Sequence, residues 1–122
     1  RSLMQLLGKL EPDILPVINA VGYPGNYAIA FAIACAHWDI NIQAGLLAYL
    51  HSWANNLITA GIKIIPLGQT AGQELLLSLQ PLLTTVVGKI LTMDDDDLGC
   101  CNWDLSLASM QHETQYTRLF RS

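Results

Sequence analysis

The run NIQAGLLAYLHSWANNLITAGIKIIPLGQTAGQ, Asn41–Gln73, decides the fold. Up to Ile64 it carries one formal charge, Lys63, and its apolar residues fall at Leu46, Leu47, Leu50, Trp53, Ala54, Leu57, Ile58 and Ile62. That spacing follows the 3.6-residue period of an α-helix. Asn41 is a suitable N-cap, so the spacing predicts a helix over Ile42–Ile64. The other positions include Gln43, His51, Ser52, Asn55, Asn56, Thr59 and Lys63, a polar strip that is neutral except at its lysine end. Regularly placed amides and a lysine do not suit a membrane span. They suit a core helix whose outer strip meets protein.

The helix runs into Ile65-Pro66-Leu67-Gly68-Gln69-Thr70-Ala71-Gly72-Gln73. Proline fixes φ and fits the first turn of a helix, and Gly68 allows a backbone angle or a close approach that a Cβ would block. Gln69 and Gln73 are four apart and share a face if helical. Spacing alone reads this joint as a helix–turn–helix connection with surface glutamines. A binding role for it stands as the second reading.

Outward from the joint, Gln73–Leu79 and Leu82–Leu91 are apolar helical runs, and Pro81 is expected to kink or split them. Upstream, Leu3, Leu6, Leu7 and Leu10 place a helix in residues 1–10, broken at Glu11-Pro12-Asp13. Asp13–Asn26 reads as a helical turn plus loop, because Pro16, Gly22, Pro24 and Gly25 punctuate it. Tyr27–Trp38 is a compact alanine-rich helix, shorter than the roughly 20 residues a bilayer requires. Downstream, Asp94–Asp97 puts four carboxylates in a row, which repel one another and belong in a solvated loop over residues 94–103. Asp104 is expected to cap a last helix reaching Gln115 or Arg118. No stretch sustains strand alternation, so the fold class is all-α, a helical bundle-like domain.

At 122 residues the chain has room for one domain and one core. Only 13% of it is charged, against about 25% in an ordinary domain. That is too little charge to cover a free-standing globule, so lipid, another domain or another protein is expected to cover part of it. The net charge of −4 and scattered lysines and arginines exclude the basic stripe of a nucleic-acid binder. Three cysteines, Cys35, Cys100 and Cys101, form no disulfide framework, which suits a reducing cytosol. The start at Arg1 leads us to expect a piece of something longer.

Catalytic chemistry finds little support. No Ser or Cys nucleophile has a local signature near His37, His51 or His112, and no GxxxxGK[ST] phosphate loop is present. A run of aspartates does not hold two carboxyls in distinct environments, which general acid–base work needs. His112 with Glu113 near the cysteine pair is the one enzymatic candidate. Cys35 and His37 are two apart and diverge on a helix, so they read as packing residues. Cys100, Cys101 and His112 are too sparse a set to specify a metal site. Thr117-Arg118-Leu119-Phe120-Arg121-Ser122 sets arginines around a Leu-Phe pair, a composition favoured at interfaces. The same tail folding back on its own helices is the alternative.

Four separate words resemble the urease accessory protein UreF family. They are Tyr49-Leu50 with Trp53, then Pro66-Leu67-Gly68-Gln69-Thr70-Ala71-Gly72-Gln73, then Asp95-Asp96-Asp97-Leu98-Gly99, and last Ala108 through Ser122, ASMQHETQYTRLFRS. The similarity runs from about Gly25 onward, with residues 1–24 matching loosely, and corresponds to the carboxyl half of a larger all-helical protein. Two departures stand out. Asn26-Tyr27-Ala28-Ile29 replaces a His-Pro-Val-like segment, and Lys63 stands where the family often has arginine, which keeps the charge but loses the bidentate fork.

The resemblance implies a non-enzymatic, cytoplasmic scaffold for nickel insertion into urease, with no cofactor of its own. The partners it implies are UreD (UreH in some organisms), the GTPase UreG and the urease apoprotein, with a homodimer inside the complex and modulation of GTP hydrolysis, for which Gln69 invites comparison with the water-positioning residues of GTPases. By analogy His112, Tyr116, Arg118, Leu119, Phe120 and Arg121 face UreD, while Lys63 and Gln69 serve the joint or a partner. A membrane- or lipid-associated helical interaction protein, motivated by the apolar excess, is the alternative.

Overall fold

A computed structural model describes residues 2–22, 26–97, 99 and 103–116. Among these residues the chain is helical without strands. In order the helices are α1 (Ser2–Leu10), α2 (Leu15–Val21), α3 (Tyr27–His37), α4 (Ile42–Ile64), α5 (Gln69–Ile90) and α6 (Trp103–Glu113), with 3-10 turns at Pro12–Ile14 and Asp95–Asp97.

Local chemistry sets most boundaries. The Asn41 side chain accepts from the amides of Gln43 at 2.9 Å and Ala44 at 3.3 Å, so α4 begins where the sequence places it. Asn41→Ala is expected to lower stability by about 1 kcal/mol, the usual worth of such a cap, measured by urea unfolding. Asn26 caps α3 in the same way through the Ala28 amide at 2.8 Å. The α3 terminus closes with Asp39 N–H donating to Ala36 and Ile40 N–H to Cys35, while Asp39 takes a left-handed φ of 51°. This paired arrangement satisfies the last carbonyls of α3 and turns the chain directly into α4.

Three expectations need correction. Residues 13–21, expected to be only a helical turn leading into a loop, are helical throughout, because Pro16 sits in the first turn of α2, where its missing N–H has no partner to lose. Asp104 lies inside the first turn of α6 rather than capping it, and the helix stops at Glu113. Of the kink or split expected at Pro81, the split does not occur; α5 continues through it to Ile90. Pro81 and Leu77 are both exposed, so the proline sits on the outer face of α5. Thr85 Oγ1 donates to the Pro81 carbonyl at 2.9 Å, which adds a side-chain bond at the proline.

Packing divides into two buried clusters where the sequence anticipated one. Met4, Leu7, Ile14, Ile18, Ala30 and Ile33 join α1, the first 3-10 turn, α2 and α3. Ala54, Leu76 and Leu83, flanked by Leu47, Leu50 and Ile58, join α4 to α5. The start of α5 lies beside the end of α4, since Gly72 approaches Ile58 and Ile62, so the two helices run antiparallel. Helices α3 and α4 connect the two clusters through a contact of Gly45 with Cys35 and an aromatic group of Tyr27, Phe31 and Tyr49. His37 Nε2 lies 3.5 Å from Glu11 Oε2 and ties the end of α3 to the segment after α1. No helix among the described residues is long and apolar enough to cross a membrane.

Candidate partner-binding surface

The joint between α4 and α5 is closed by backbone geometry. Ile65 N–H makes the last helical bond to Gly61 at 2.8 Å, and Leu67 N–H folds back to the Ile65 carbonyl at 2.6 Å around Pro66. Pro66 therefore occupies a three-residue turn between the helices and not the first turn of α5. Gly68 is at φ −70°, with open space where a Cβ would stand, so neither a special angle nor a close approach requires glycine there. The glycine that matters is Gly72. A Cβ on it would lie 3.2 Å from Ile62 Cγ2 and 3.3 Å from Ile58 Cγ2, which makes its smallness the condition for close contact of the two helices.

Lys63 lies on the last turn of α4 and Gln69 at the first position of α5, both exposed, so the joint brings them to one end of the hairpin. Gln73 is exposed as well. Between Lys63 and Gln69 the chain presents Ile64, 71% exposed, together with the exposed Ile65 and Leu67. Sequence reasoning named the polar pair and passed over this apolar knob. A signal for it existed in the consecutive Ile64-Ile65, since two adjacent positions at a helix end cannot both face one neighbour.

His112 and Tyr116 belong to α6 and the turn after it. Every residue of α6 is exposed, and the helix packs extensively against no other element among the described residues. Trp103, Leu107 and Met110 recur at helical spacing and form an apolar stripe in water, with Trp103 73% exposed. Tyr116 is fully exposed. His112 and Glu113 are adjacent and exposed, so their side chains diverge. Arg118, Leu119, Phe120 and Arg121 lie outside the described residues, as do Cys100 and Cys101.

On α4 the expected inward set is only partly inward. Trp53 and Leu57, placed with the core by their period, are more than half exposed, because α5 covers a narrower arc than the apolar residues span. His51, Ser52, Asn55 and Thr59 are instead partly buried. Among the described residues no group of three or more His, Cys, Asp or Glu side chains is placed to hold a metal ion.

Among the described residues such surfaces define a class: an all-helical protein that offers exposed apolar contact area. The sequence model of the UreF family matches residues 1–80. The chain belongs to the UreF family. It is 75% identical to a urease accessory protein UreF of Nostoc sp. and 74% identical to that of Trichormus variabilis, in both cases over all of this chain and 53% of the relative. A UreF of Chromohalobacter salexigens is 40% identical over 99% of this chain and 52% of its own length. The chain thus spans about half the length of the curated relatives it matches. The family match includes residues 1–24, which the motif words left as loosely similar. The acidic and C-terminal words lie beyond it but within the alignments to the cyanobacterial relatives.

Proposed function

We propose that this chain serves urease maturation as the carboxyl-terminal half of a non-enzymatic helical scaffold. In this reading it assembles with UreD/UreH and the GTPase UreG on the urease apoprotein, in the cytoplasm and as a homodimer within the complex. Nickel is the cargo of that assembly. Family membership supports the role in urease maturation. The observation that carries the docking part is α6, a helix with Trp103, Leu107 and Met110 exposed and little packing of its own. Apolar side chains left in water gain roughly 25 cal/mol for each Å² a partner covers, and aromatic and arginine residues dominate such contacts. Helix α6 with His112, together with Tyr116 and the residues Arg118, Leu119, Phe120 and Arg121 that follow in sequence, then face UreD. Lys63, Gln69 and the Ile64–Leu67 knob form a second contact at the opposite kind of site, a rigid hairpin end, where an effect on GTP hydrolysis by UreG would be exerted.

The test uses a polypeptide of the relatives' full length carrying this sequence, mixed with UreD and UreG and resolved by size-exclusion chromatography. Deletion of residues 117–122, and separately Leu107→Asp with Met110→Asp, is expected to weaken UreD capture at least about tenfold, the loss of one strong contact. Full UreD binding by both variants would reject the assignment of this element. Lys63→Ala with Gln69→Ala is expected to leave UreD capture intact and to change UreG recruitment.

A further inference from the structure

A further apolar surface is lined by residues of neither α6 nor the hairpin end. Helices α3 and α4 enclose a groove of about 520 Å³ whose ten lining residues include no charged side chain. One wall is the ridge Ala28, Ala32 and Ala36, exposed and spaced i, i+4, i+8; Gly45 and Leu46 stand across from it. The floor is set by the close approach of α3 and α4, since a Cβ on Gly45 would lie 3.1 Å from Cys35 Sγ. Cys35 lines the groove as a half-buried thiol.

We propose that this groove seats an apolar helix from the portion of a UreF polypeptide that lies outside these 122 residues. Shape argues for a helix. An alanine ridge lets a second helix approach at the short end of the usual 8–10 Å separation, and the stretch from Ala28 to Ala36 accommodates about two turns at 1.5 Å per residue. Linkage argues against a separate molecule. A second copy or a free partner has to offset the translational and rotational freedom it loses on binding here. A segment of the same polypeptide meets no such cost, because its linkage supplies a high effective concentration. Length supplies the occupant: the Nostoc relative aligns over 53% of itself with all of this chain, leaving nearly as many residues again to be packed. The proposal rests on this length and not on the role in urease maturation, so assays of urease activation neither support nor remove it.

The test compares the 122-residue chain with a chimera in which the chain replaces the aligned half of the Nostoc relative. Reaction of Cys35 with N-ethylmaleimide is followed by mass spectrometry of the peptide carrying it. Labelling in the chimera is expected to be at least tenfold slower than in the chain alone and independent of protein concentration. Equal rates would overturn the proposal. Protection that grows with concentration in the chain alone would also overturn it, by making a second copy the occupant. An independent variant, Ala32→Phe, fills the groove from its own wall. It is expected to lower the melting temperature of the chimera by at least about 5 °C and to leave that of the chain within about 2 °C. Equal shifts in both, or a chimera that fails to fold despite the 75% identity of the exchanged half, would count against a helix seated here.

Discussion

Gly72→Val is expected to destabilise the fold by about 3 kcal/mol, read as a lowered urea midpoint with an unchanged slope. The site explains the size. Gly72 is buried where α5 begins, and even a bare Cβ would meet Ile62 Cγ2 at 3.2 Å and Ile58 Cγ2 at 3.3 Å. Those methyls sit on stiff β-branched side chains of α4 and have few rotamers into which to withdraw. Valine adds two further methyls on that Cβ, so relief has to come from moving the helices apart. Separation would also loosen Leu76 against Ala54, the centre of the α4–α5 cluster. Gly72→Ala should be much milder. Alanine recovers up to about 1 kcal/mol of helix propensity, which offsets a crowding of a few tenths of an ångström. The pair separates steric from propensity effects: a large loss with valine and a near-neutral alanine identify close approach as the reason for glycine. A comparable loss at Gly68, where the space is open, would contradict that account.

The contrast between Gly68 and Gly72 also marks what sequence can disclose. Both glycines are visible in the Pro66–Gln73 word, and helical period alone does not say which one faces the partner helix. The start of α4 was legible because Asn41 is a cap whose bonds go to amides two and three residues away, a local matter. Helical class was legible for the same reason, from the period of Leu46, Leu50 and Ala54. How wide an arc the neighbours cover is not local. The period put Trp53 and Leu57 with the core, while α5 alone leaves both more than half exposed. Low charge pointed to apolar surface on the outside, yet it could not say where the exposed apolar residues lie. The groove beside Ala32, the knob at Ile64 and the stripe on α6 emerge only once the helices are placed. Of the residues matched to the family by analogy, Lys63 and Gln69 flank one joint and His112 and Tyr116 share the C-terminal segment. The resemblance supplied those names, and the structure adds the apolar neighbours that give each group contact area.

Pro81→Ala is the opposite case, an expected gain of about 2 kcal/mol. Proline inside a helix costs roughly 3 kcal/mol relative to alanine, because it has no N–H for the carbonyl four residues earlier and its ring crowds that carbonyl. Part of the cost returns through the unfolded chain, whose freedom proline restricts by about 0.4–1 kcal/mol, so the net gain is smaller than the host value. Alanine would let the residue 81 amide donate to Leu77 and complete the ladder of α5. The Thr85 hydroxyl accepts no penalty in the exchange, since its 2.9 Å bond goes to the carbonyl of residue 81, which both residues possess. Exposure of Pro81 means that no buried contact is lost. A rise in melting temperature of roughly 6–10 °C is expected by calorimetry. No rise would mean that α5 already relieves the strain by bending at this point, the kink that proline there leads one to expect.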